Sequence, residues 1–80
     1  MAGLAKGFHD SRYRDLIAQL VAERKRKGLS QRELAERISQ HQQFVSRYET
    51  GERRLDVVEF ADITDALDLQ ASALLDSLGR

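Results

Sequence analysis

The segment GLSQRELAERISQHQQFVSRYETGERR, residues 28–54, decides how this 80-residue chain is read. It contains two short helical patterns separated by a few polar residues. Ser30 is followed three residues later by Glu33, a capping box in which hydroxyl and carboxylate each satisfy an otherwise free backbone N–H. A helix therefore starts near Gln31 and runs to about Ile38, with Leu34, Ala35 and Ile38 as its buried face. Ser39 to His41 interrupt the pattern. A second helix spans about Gln42 to Glu49, Thr50-Gly51 stops it, and a polar loop with Arg53 and Arg54 follows.

Helical phase sorts the side chains of the Gln42 helix. With Gln42 at zero and about 100° per residue, Ser46 falls near 40°, Thr50 near 80°, Gln43 near 100° and Arg47 near 140°. Phe44, Tyr48 and Val45 fill the opposite arc, near 200°, 240° and 300°. One face is thus packed, and the other offers amides, hydroxyls and a guanidinium without an acid. Those are the groups that pair with base edges in the major groove, glutamine with adenine and arginine with guanine. A two-turn helix, a short turn and a second helix with such a face form a helix-turn-helix layout.

Working outward, Asp10 or Ser11 caps a first helix in which Tyr13, Leu16, Ile17, Leu20, Val21 and Arg24 follow the i, i+3, i+4, i+7 rhythm. It ends in Arg24-Lys25-Arg26-Lys27 and Gly28, cations in the last turn followed by the stop residue. Asp56 caps a fourth helix with Val57, Phe60, Ile63, Thr64 and Leu67 on one face; Asp68 ends it. Ala71, Leu74, Leu75 and Leu78 suggest a fifth. There is no proline and no hairpin signal. The expected fold is all-α, five short helices crossing steeply around one core, with residues 1–10 as an N-terminal arm and 11–80 as a single domain.

Composition bounds the function. The chain has no cysteine, and His9 and His41 are too far apart to suggest a metal pair, so neither metal nor cofactor is expected. No apolar run reaches the roughly 18 residues of a membrane span, and a cytoplasmic setting is expected. The formal net charge is zero, but residues 1–54 carry 12 Lys/Arg against 7 Asp/Glu, whereas residues 55–80 carry 1 against 6. That segregation, basic then acidic, points to a polyanionic partner for the first part. Asp10 beside His9, or Glu36 before His41, lacks a nucleophile, phosphate loop or metal spacing around it, so an enzyme is not expected.

Three stretches, GLSQRELAERI, FVSRYETGERR and VVEFADITDALDL, resemble the lambda-repressor-like, or Xre-type, helix-turn-helix DNA-binding domains, from about Leu16 to Leu75. The family pattern matches at Gln31, Ala35, Val45 and Glu49-Thr50-Gly51. The resemblance implies a structural ion pair between Arg24 and Glu49, consistent with a charge on the apolar stripe of the first helix. It implies base reading by Gln42, Gln43, Ser46 and Arg47, joined by His41 at the cap. It also implies phosphate contacts by Gln31, Arg53 and Arg54, with Lys27 and Arg32 as further candidates. Three positions depart from the pattern: Ser39 stands where the turn usually holds a left-handed glycine, Gln40 where an apolar residue is usual, and Leu55 where proline is common.

The leading expectation is a sequence-specific transcriptional regulator of bacterial or phage type, a repressor binding double-stranded DNA as a homodimer on an inverted repeat. Val58, Leu74, Leu75 and Leu78 are the candidate seam. Alternatives are an antitoxin-type regulator whose acidic half docks on a protein partner, and a helical interaction module that does not bind DNA.

Overall fold

The structure, a computed structural model, describes residues 10–78. Five helices follow in order: α1 (Ser11–Arg26), α2 (Gln31–Arg37), α3 (Gln42–Thr50), α4 (Val57–Ala66) and α5 (Ala71–Asp76). No strand occurs among the described residues. Of the expected arm only Asp10 is described; the remainder, His9 included, lies outside the described residues.

Local chemistry fixes each boundary. Asp10 accepts from the Arg12 N–H at the start of α1. Ser30 with Glu33, and Asp56 with Glu59, close reciprocal capping boxes on α2 and α4. The C-termini of α1 to α4 share one device. A residue with positive φ follows the last turn, Gly28 (72°), Ser39 (57°), Gly51 (91°) and Asp68 (57°). The next N–H then reaches back: Leu29 to Arg24 O, Gln40 to Ala35 O, Glu52 to Arg47 O and Leu69 to Thr64 O. These are Schellman turns, which satisfy carbonyls that the helix leaves open. Two of the four left-handed positions are not glycine, so Ser39 and Asp68 carry local strain.

The core draws Leu16, Ile17 and Leu20 from α1, Leu34 and Ala35 from α2, and Val45 and Tyr48 from α3. Phe60 and Ile63 from α4, Leu67 and Leu74 complete it. Ala35 is a methyl group between α2 and α3, which lets the two axes approach closely; a larger side chain there would push them apart. Gln40 is exposed, so the usual apolar position is simply not buried here. Leu55 has a reason to replace proline. Its N–H donates to Tyr13 Oη at 3.1 Å, and proline has no N–H to give.

Two expectations require correction. Val57 is 76% exposed rather than core-facing. As the first residue of α4 it lies about 70° from the mean direction of Phe60, Ile63, Thr64 and Leu67, ahead of the packed surface. Leu74 is 8% exposed and belongs to the core, which removes it from the candidate seam; Leu78 is half-buried against that core. Val58 and Leu75 remain open, at 65% and 48%.

Candidate nucleic-acid interface

The centre of the site is a buried charge held between helices. Arg24, on the inner face of α1, donates from Nε to Glu49 Oε2 at 2.7 Å and from Nη2 to Glu49 Oε1 at 3.0 Å. Its Nη1 donates to Leu29 O at 2.7 Å, so the guanidinium also ties down the turn before α2. The two side chains are 9% and 7% exposed. The hydrogen bonds to Glu49 raise the Arg24 pKa above its ordinary value, against the opposing effect of burial.

From Glu49 the polar contacts run outward to the exposed polar face of α3. Gln31 Nε2 donates to Glu49 Oε1 at 2.9 Å, and Gln42 Nε2 donates to Gln31 Oε1 at 3.3 Å. A carboxylate only accepts, so Gln31 must turn its amide nitrogen inward and its oxygen toward Gln42. Gln42 is thereby oriented, with its own oxygen and its second N–H left for another partner. The sequence reading did not find this role for Gln31. The available signal was phase: Glu49 stands about 20° from Gln42 around α3, close enough for one residue to bridge both.

Gln42, Gln43 and Arg47 are exposed on α3, and Arg47 forms no ion pair among the described residues. Ser46 is half-buried. Thr50 turns its hydroxyl back onto Arg47 O at 3.2 Å. His41 is the N-cap residue of α3, exposed, and makes no side-chain capping bond. The face carried by α3 thus holds amides and a guanidinium with no exposed acid among residues 41–47.

The arginine doublet divides. Arg53 reaches Glu59 with both Nη1 and Nη2 at 2.8 Å, and its guanidinium lies 4.9 Å from the centre of the Phe44 ring. The Arg53 hydrogen bonds, with help from the Asp56 N–H, hold the Glu59 carboxyl below the usual carboxylate range. Arg53 therefore clamps α3 to the cap of α4, and its charge is already matched by an acid. Arg54 instead lies 4.9 Å over the Tyr13 ring and forms no ion pair among the described residues. Among the remaining phosphate candidates Arg32 is exposed and Lys27 half-buried. Adjacent arginines look alike in sequence; the signal separating them was the Asp56-x-x-Glu59 box, which places a carboxylate within reach of only one. No group of three or more His, Asp or Glu side chains able to hold a metal occurs among the described residues. None of their helices is long and apolar enough to cross a membrane.

A capped two-turn helix packed on a second helix that exposes an acid-free polar face defines the helix-turn-helix class of DNA-binding transcription regulators. The sequence profile described as helix-turn-helix matches residues 20–74. An XRE-family like protein from Pseudomonas syringae pv. tomato str. DC3000 has a similar solved structure, with a TM-score of 0.83 and 42% sequence identity over 92% of this chain and 90% of that one. The chain belongs to the XRE-type helix-turn-helix family. No curated protein matches it.

Proposed function

We propose that this chain is a sequence-specific transcriptional regulator of bacterial or phage type, acting in the cytoplasm as a repressor on double-stranded DNA. α3 enters the major groove, where Gln42, Gln43 and Arg47 read base edges and His41 and Ser46 flank them. The observation that carries this reading is the Arg24–Glu49–Gln31–Gln42 chain of hydrogen bonds. It spends a buried ion pair on orienting one exposed amide, and an oriented amide is what bidentate pairing with adenine needs. Arg54 and Arg32, Lys27 and the first-turn N–H of Gln31 take phosphates and set the register.

Two copies bind an inverted repeat, with half-sites about one helical turn apart. Val58 and Leu75, joined by Val57, are the exposed apolar residues available for the seam. Replacing Gln43 by alanine is expected to cost roughly 1–3 kcal/mol on the preferred site and relax the preference at one base pair. Equal weakening on preferred and random duplexes would show that Gln43 does not read sequence. Val58→Lys with Leu75→Lys should leave a folded monomer in sedimentation equilibrium.

A further inference from the structure

Arg14, Ala18, Val21, Ala22 and Lys25 recur along α1 at spacings of three and four, so they stand in one row. Together with Tyr13 and Ile17 they form one wall of an open groove of about 660 Å³. Glu49, Thr50 and Gly51, at the C-terminal end of α3, form the other wall. Two alanines leave a shallow valley between the apolar side chains of Ile17 and Val21. The base contacts proposed above lie at the opposite end of α3, and of the proposed phosphate contacts Arg54, over the Tyr13 ring, borders the groove without lining it.

Its two ends are positive. Arg14 and Lys25 are exposed, and their side chains form no ion pair or hydrogen bond among the described residues, whereas Arg12, Arg24 and Arg26 on the same helix are each matched by an acid. The Glu49 carboxylate on the far wall is turned to Arg24 and Gln31 and does not neutralise them. Arg14 and Lys25 are about 16 Å apart along the axis, three helical turns.

We propose that this groove binds a short acidic amphipathic helix of a partner protein. About three turns fill its length, with apolar side chains at i, i+4 and i+7 over Ile17, Val21 and the alanines, and Asp or Glu at each end facing Arg14 and Lys25. A DNA backbone would match the cations but offer nothing to cover the apolar floor. A second copy is a poor match, because α4, its most acidic helix, commits Phe60 and Ile63 to its own core and exposes large apolar side chains only in its first turn, at Val57 and Val58, too short a stripe for a groove three turns long. Residues 1–9 contain Lys6 and no acid, the wrong charge for this rim. The contact links a DNA-bound copy to a second protein without occupying the reading face.

The test uses the full chain and a fluorescein-labelled 14-residue helical peptide with three leucines at i, i+4 and i+7 and glutamates at both ends. Anisotropy should give a Kd of about 10–100 µM, as a small interface allows, with amide shifts at Ala18, Val21 and Ala22. Arg14→Gln with Lys25→Gln should weaken the peptide about tenfold, two exposed ion pairs' worth. Ala18→Arg with Ala22→Arg, both at exposed positions, should abolish binding while duplex affinity is retained. Equal binding of a peptide with lysines in place of the glutamates, or unchanged binding to the arginine variant, would overturn the proposal. So would loss of duplex rather than peptide affinity in the glutamine variant, which would make Arg14 and Lys25 phosphate contacts. Groove signals that move with protein concentration alone would assign the groove to a second copy, and nuclear Overhauser contacts from residues 1–9 to Ala18 would assign it to this chain; either result refutes the partner helix.

Discussion

Replacing Arg24 by alanine removes a guanidinium that makes three hydrogen bonds of 2.7–3.0 Å across α1, α3 and the turn before α2. Glu49 stays behind with a 7% exposed side chain and only the Gln31 amide as partner. Breaking a buried pair from one side costs about 3–5 kcal/mol, most of it the stranded charge. An 80-residue domain holds roughly 4–12 kcal/mol in total, so the variant loses a large part of its stability. At about 4–8 °C per kcal/mol for a domain of this size, Tm falls by at least about 12 °C. Urea unfolding followed by circular dichroism at 222 nm, with Arg24→Ala, Glu49→Leu and the double variant, measures this directly. The double variant should recover part of the loss, because no buried charge remains unmatched. A loss below about 1 kcal/mol in Arg24→Ala, or strict additivity in the double variant, would refute the claim that this ion pair locks α1 to α3.

Other outcomes follow from single contacts. Tyr48 is fully buried and its hydroxyl has no hydrogen-bond partner among the described residues, so Tyr48→Phe should be neutral or stabilising by about 1 kcal/mol in the same unfolding assay. Ser39→Gly should stabilise by about 0.5–1 kcal/mol, since it relieves a left-handed serine at φ 57° and loses part of the gain to unfolded-chain entropy. Glu59 has a depressed pKa in the fold, so its contribution is complete above the ordinary carboxylate range and lost as pH falls through the folded value. Glu59→Gln should therefore cost about 1 kcal/mol at pH 7, and the gap to the parent should close in acid-unfolding curves. Arg54→Ala should lower the slope of log affinity against log salt by about one unit, whereas Arg53→Ala should lower Tm and change that slope less.

The helices were legible because their punctuation is chemical. Ser30 with Glu33, Asp56, Gly28 and Gly51 each satisfy or release backbone groups at a place that the sequence marks. Ser39 and Asp68 adopt the same left-handed turn without a glycine; the family pattern marked the position of Ser39, whereas that of Asp68 shows only in the hydrogen bond made one residue later. Arg24 drew attention as a charge on an apolar stripe, and the family pattern supplied Glu49 as its partner. The side-chain couplings were less visible. Gln31 could be recognised as a helix-start residue, but whether its amide faces out to a phosphate or in to Glu49 depends on how α2 and α3 pack. The leucines at 74, 75 and 78 form one stripe in sequence, yet only the position of α5 against the core separates buried Leu74 from exposed Leu75. Arg53 and Arg54 lie in a loop with no period from which direction can be read, and the Asp56-x-x-Glu59 box is the one mark near them.

That α3 reads base sequence through an amide held by the buried ion pair is tested most directly by selecting bound duplexes from a random pool, once with the parent chain and once with Gln42→Ala. The parent should enrich an inverted repeat whose half-sites lie about one helical turn apart, and the variant should lose the preference at one symmetric pair of positions while keeping the rest. A parent pool with no enriched sequence, or a variant pool identical to the parent's, would contradict it.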